Sequence, residues 1–290
     1  MKSFCIKNNN NEILEYLLNS IKEINMEGIS FSKKSFKYYN NLIVHYKGSN
    51  SALFVYKMSE IITNCILKFY EKNIVKRKLN SDFCYFDAQE KEAIYNNCLE
   101  ILNEKDSNDC IIRKEKIFSC LCDYIFSNKF FILDGFVNFR LFEYISLLEE
   151  VLETAVNKFI IDKEYKEFIS LLQGYIFSQK NKSNIVHIIY SYSDPIILDE
   201  SENVIPYNNE IISSKYLSDI SFSSKDYCLN ILLNLLPKQV IVHMLAEEDE
   251  FIETLKLIFK NRIIICKECN ICKTFSLLNA TQKSGKIGHI

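Results

Sequence analysis

The sequence predicts an α+β chain that is predominantly helical: a small α/β unit over residues 1–50, a helical bundle over 51–182, and a C-terminal α/β unit with a short mixed sheet over 183–290. Three observations carry that expectation. Apolar residues alternate over Leu42, Val44 and Tyr46; they recur at three- and four-residue steps from Ala52 to about Lys180; and strand-like runs return after Ser183.

Taken in order, Ser3 to Lys7 reads as a strand and Glu12 to Ile24 as a helix. On that helix Ile13, Leu14, Leu17, Leu18, Ile21 and Ile24 paint one apolar face. Two strands follow, the second ended by Gly48-Ser49-Asn50. In the middle, Met58, Ile61, Ile62, Cys65, Ile66 and Phe69 line a helix expected to stop in the basic run Lys72 to Lys78. Asp87 with Glu90 three residues on has the spacing of a capping box. Ile117, Cys120, Leu121, Tyr124 and Ile125 mark a further helix, on which Cys120 and Cys122 face different directions. Asp134-Gly135 is expected to interrupt the pattern before a long helix from Val137 to about Ile160, restarted by Asp162.

Beyond Ser183, Ile185 to Tyr190 and Pro195 to Leu198 form a predicted hairpin, and a helix near Ser224 to Leu236 ends at Pro237. Gln239 to His243, Glu247 to Asn261 and Arg262 to Ile265 then read as strand, crossover helix and strand. That order predicts a parallel pair.

Bulk properties narrow the function classes. Apolar residues make up 48% of the chain, against only three prolines and six glycines, so an ordered, packed chain is expected. A formal charge of −2 argues against coating a polyanion over the whole surface. The charge is uneven, however: Lys256, Lys260, Arg262, Lys267, Lys273, Lys283 and Lys286 face one acid, Glu268, from residue 256 onward. This tail is either a solvated end or a nucleic-acid contact. The start of the chain is too polar for a secretory signal, and no apolar run reaches the ~18 residues a membrane span needs, so a cytoplasmic protein is expected.

Eleven cysteines at irregular spacing read as reduced core residues rather than a disulfide framework. Three stand apart. Cys266, Cys269 and Cys272 follow the apolar run Ile263 to Ile265 at two-residue gaps, a spacing that lets thiols converge on one soft metal ion. If the two late strands are parallel, His243 reaches the same sheet edge and completes a zinc shell, with His289 as another candidate fourth ligand. Three alternatives stay open: thiols without metal, an iron–sulfur site lacking its fourth Cys (Ser276 stands near that position), and a redox CxxC pair. His45 and His187 read as satisfied sheet residues. Glu247 to Glu250 suit a helix start; Asp194, Asp199 and Glu200 flank the hairpin without the downstream Lys that a metal-dependent nuclease needs.

The segment Leu133-Asp134-Gly135-Phe136-Val137-Asn138-Phe139-Arg140-Leu141, continued by Ala155-Val156 and by Glu164-Tyr165-Lys166-Glu167-Phe168-Ile169, resembles the YtxC-like family of sporulation proteins from endospore-forming bacteria. The likeness runs nearly the full length. It implies an association with sporulation and brings no activity, ligand or catalytic residue with it. Physically, Asp134 reads as a helix cap, Gly135 as a turn, Phe136 and Phe139 as core, and Arg140 as the partner of Glu143 or Glu164.

No catalytic signature, Gly-rich phosphate loop or nucleophile elbow is present. The leading expectation is therefore a non-catalytic accessory protein with protein partners in sporulation. Behind it stand a nucleic-acid-binding regulator using the basic, Cys-rich tail and Lys72, Lys76, Arg77 and Lys78, and a metal-dependent hydrolase or thiol-redox enzyme.

Overall fold

A computed structural model describes residues 2–24, 26–104, 108–206 and 223–284, and these divide into two compact units, Met1–Asp162 and Lys163–Ile290. The chain is helix-dominated α+β with two four-stranded sheets, as the periodicities predict.

The first unit begins with β1 (Lys2–Asn8), α1 (Asn11–Lys22), β2 (Ile29–Ser35) and β3 (Asn40–Tyr46). Asn10 caps α1 by accepting the Glu12 N–H at 2.9 Å, and the helix buries Ile13, Leu14, Leu17 and Ile21. Burying four such side chains stabilises by roughly 1.5–3 kcal/mol each. Burial alternates along β1 and β3, so Phe4, Ile6, Leu42 and Val44 face the core while the residues between them stay half-exposed.

Helices α2 (Ser51–Phe69), α3 (Glu71–Asp82), α4 (Ala88–Asn103) and α5 (Asn108–Ser127) follow. The Asp87–Glu90 capping box forms in both directions. Contrary to expectation the basic run does not end a helix: it lies within α3, because Ile74, Val75 and Leu79 supply a buried stripe at helical spacing. Arg77 donates to Asn138, and Lys78 pairs with Glu149 at 2.5 Å.

The sheet is completed by a strand that the periodicity does not announce. β4 (Phe130–Ile132) runs parallel to β1, giving the order β2-β3-β1-β4. Phe131 stacks on Phe4 with ring centroids 5.2 Å apart. Asp134-Gly135 likewise departs from expectation, because both residues are helical in α6 (Leu133–Arg140). Asp134 does not cap; it accepts hydrogen bonds from the Tyr70 hydroxyl at 2.5 Å and from Asn8 at 3.2 Å, tying α6 to β1 and to the α2–α3 junction. Phe136 is buried, whereas Phe139 points to solvent. Arg140 lies over the Tyr124 ring, and Glu143 pairs with Lys116 instead. Helix α7 (Phe142–Ser178) continues through Asp162 without a break, and the division between the units falls within it.

Among the described residues, the Glu71–Arg113 ion pair is buried in the bundle. Arg113 on α5 brings Nε to 3.1 Å from Glu71 on α3 and donates from Nη2 to the Leu102 carbonyl of α4. Burial pushes the Glu71 carboxyl upward, and the guanidinium partly offsets it.

The second unit holds β5 (Ser183–Tyr190), β6 (Ile196–Leu198), α8 (Ser224–Leu235), β7 (Pro237–Met244), α9 (Glu250–Phe259), β8 (Ile263–Cys266) and α10 (Asn270–Ser284). β5, β7 and β8 are parallel and β6 is an antiparallel edge, so the predicted hairpin and parallel pair both form in one mixed sheet. Pro237, which needs no donor there, opens β7 directly after Leu236, whose left-handed φ of 44° is held by complete burial. Val240, Val242 and Met244 pack against Cys228 and Leu232 of α8 and Ile252, Leu255 and Ile258 of α9. Asp199 accepts backbone N–H groups from Ser201 and Asn203 and so builds a turn. Among the described residues no helix is long and apolar enough to cross a membrane.

Asp249 caps α9 through the Ile252 N–H and also accepts from Tyr190 on β5 and Lys225 on α8, each at 2.5 Å. Burial works upward on its carboxyl, but the bonds from Lys225, Tyr190 and Ile252 outweigh it and hold the pKa at about 2.

Two outcomes follow. Arg113→Ala should lose about 3–5 kcal/mol in urea unfolding, because it strands a buried carboxylate, whereas an apolar double replacement of Glu71 and Arg113 should lose far less. Asp249, with its folded pKa below the ordinary 3.8, contributes stability that is complete above that value and fades as pH falls toward 2. Wild-type urea midpoints should therefore drop more steeply over that window than those of Asp249→Asn.

Candidate metal centre

The β7–β8 register sets the site. His243 pairs directly with Cys266, Ile241 with Ile264, and strands stand about 4.8 Å apart. Because Val240, Val242 and Met244 face α8 and α9, the alternation turns Ile241 and His243 to the opposite face of the sheet. Register places Ile264 and Cys266 on that same face.

Cys266 is the last residue of β8, and after three intervening residues the chain enters α10 at Asn270. Cys269 sits just before that helix. Its sulfur accepts the Cys272 N–H at 3.5 Å while its carbonyl accepts the Lys273 N–H, an N-cap arrangement made with sulfur. One turn into α10, Cys272 points back at the sheet.

The four side chains converge. Cys269 Sγ lies 3.2 Å and Cys272 Sγ 3.4 Å from His243 Nδ1; Cys272 Sγ is 3.6 Å from Cys269 Sγ and 3.8 Å from Cys266 Sγ. All four donor atoms fall within 4.8 Å of one another. A covalent disulfide needs about 2.05 Å, so these are separate thiols. With bonds of about 2.3 Å to sulfur and about 2.0 Å to nitrogen, a tetrahedral zinc shell spaces its donors by roughly 3.5–3.8 Å. The group therefore has the donor set and the size for one metal ion and is compatible with zinc. It is too tight to surround a multi-iron cluster, whose ligand sulfurs must stand outside its own iron and sulfide atoms.

His243 and Cys272 are only 2% and 3% exposed, so their polar atoms need internal partners. His243 finds one behind it: its Nε2 is 3.0 Å from His187 Nδ1, with the two rings stacked. For Nδ1 to offer its lone pair toward the sulfurs, Nε2 must carry the proton, and His187 Nδ1 stands where it can accept that hydrogen bond. Burial and the adjacent His187 push the His243 pKa down, which keeps the ring neutral and its lone pair available. Burial also raises the Cys272 thiol. On Cys266 burial acts upward too, but N–H groups of Cys269 and Glu268 and the neighbouring thiols turn the balance downward.

Of the sequence candidates, His243, Cys266, Cys269 and Cys272 come together, while His289 lies outside the described residues. His45 is a sheet residue bonded to Ser3 Oγ at 2.8 Å. His187 is more than that, since it orients His243. Its role comes from the β5–β7 pairing, which the sequence pattern does not announce: it stands on β5, parallel to β7, two residues before Ile189, the register partner of His243. Two cations of the basic tail have internal partners. Lys256 pairs with Glu248 and Glu253, and Arg262 donates to Asn181 and to the Pro237 carbonyl.

The family model described as the YtxC-like family matches residues 56–264. The chain is also 22% identical over 216 residues to a protein of Bacillus subtilis (strain 168) named "Uncharacterized protein YtxC", covering 71% of this chain and 75% of that protein. No solved structure matches.

Proposed function

The chain belongs to the YtxC-like family, and from that premise we propose that it is a cytoplasmic, sporulation-associated accessory protein without catalysis of its own, its C-terminal unit fastened by one zinc ion on His243, Cys266, Cys269 and Cys272. The observation that carries the zinc reading is the four-donor group. Four protein donors within 4.8 Å of one another are enough to complete a tetrahedral shell without water, which is the pattern of structural sites; catalytic sites keep one position for water or substrate.

In this reading the zinc joins three pieces of the second unit, namely the end of β7, the end of β8 and the start of α10. Its binding free energy is then folding free energy for that corner. His187 acts behind the shell, fixing the tautomer of His243 so that Nδ1 is always the free donor. Of the carboxylates weighed for hydrolysis, Asp249 caps α9, Asp199 builds a turn and Glu248 pairs with Lys256, which fits a role without catalysis.

Protein purified without added metal should carry one zinc per chain by elemental analysis. Cys266→Ser should lose it, and His187→Ala should bind it about 10–100-fold more weakly. A chelator should lower the melting temperature of the wild type only. Metal-free protein with an unchanged melting curve would overturn the zinc assignment. In cells, failure of Cys266→Ser to restore spore yield would tie the site to sporulation.

A further inference from the structure

The first unit carries a surface of different chemistry. Strands β1, β2, β3 and β4 hold Lys2, Lys7, Lys33 and Lys34 and no acidic residue. From Gly28 to Ser59 the chain has five lysines and no acid, although its net charge is −2. Burial alternates on the central strands, so one sheet face is core and the other half-exposed.

On the half-exposed face Asn41 pairs with both Lys7 and Lys34, placing the two ammonium groups in one row. Phe130 stands on the neighbouring strand, 58% exposed, with Lys7 Nζ 4.8 Å from its ring centroid. At the β2–β3 hairpin, closed by the Phe36 N–H to Tyr39 carbonyl bond, Phe36 and Tyr38 are 59% and 72% exposed, and Lys37 Nζ lies 5.4 Å from the Tyr38 ring. Lys33 faces the other way, toward Glu15.

We propose that this sheet face and its hairpin form a binding surface for single-stranded nucleic acid, bases stacking on Phe130, Phe36 and Tyr38 while Lys7, Lys34 and Lys37 meet the phosphates. Exposed rings beside cations on strands that carry no acid match both halves of a nucleotide, its π-face and its charge. A duplex hides its base faces and satisfies only the lysines. A bilayer fits less well, since ammonium groups held over the rings would have to follow them into hydrocarbon. The surface is independent of the metal centre.

Fluorescence anisotropy of the full chain tests it, using labelled oligo(rU) and oligo(dT) of about twelve nucleotides, a duplex of the same length, and phosphatidylserine vesicles. Both single strands should bind, the duplex at least about tenfold more weakly, with affinity falling as salt rises. Phe130→Ala should weaken binding by about 5–100-fold and Lys34→Glu or Lys37→Glu by more than about tenfold, with melting curves unchanged. The proposal is overturned by no binding at low salt, by vesicles competing as well as oligonucleotides, or by binding that ignores all three variants and is lost instead in Lys267→Glu/Lys273→Glu.

Discussion

The parallel pairing of β7 with β8 is the constraint from which the second unit's chemistry follows. It sets His243 beside Cys266 and turns both away from the α8–α9 core. Strand side chains alternate, so a slip of one residue would send Cys266 to the wrong face and bring Ile265 opposite the imidazole. Register is protected against that slip because Ile263 and Ile265 pack on the apolar side while α9 fills the crossover. The polar corner is thus located by hydrophobic packing on the far side of the sheet.

The two units place buried polar groups by different means. In the first, Glu71 and Arg113 neutralise each other inside the bundle, and Asn8, Tyr70 and Asp134 join a strand, a helix junction and a short helix. The Asn8–Tyr70–Asp134 group is a hydrogen-bonded set, whereas the ion pair rests on the charge contact and the Arg113 Nη2 bond to the Leu102 carbonyl, with Arg113 Nη1 left without a hydrogen-bond partner. In the second, His243 and the thiols satisfy one another only loosely, with sulfur contacts of 3.2–3.8 Å. Side chains so spaced leave a centre that one further atom would complete.

Much of this was legible in the chain. The 3.6-residue stripe of α1, the Asp87–Glu90 box, the late parallel pair and the convergence of His243 with three thiols all express local patterns that tertiary packing did not oppose. What escaped reading has identifiable causes. β4 spans three residues, too few to show alternation, and exists only because β1 offers a free edge. Asp134-Gly135 looks like a break, yet hydrogen bonds to Tyr70 and Asn8, distant in sequence, make Asp134 more useful inside the helix. The role of His187 depends on a third strand aligned with the other two, which periodicity within β5 alone does not reveal. The start of α10 is capped by sulfur, a signal absent from the usual Ser, Thr, Asp and Asn vocabulary.

That cap has a consequence of its own. The sulfur that caps α10 is also one of the proposed zinc donors, so the start of the helix and the proposed ion would share that atom. Were the proposed ion stripped, a pinning charge would be lost at the very place where the helix must nucleate, and nucleation is the costly step for a short helix. α10 would then unwind ahead of the sheet beneath it, so the helix rather than the strands would be the first part to report an empty centre.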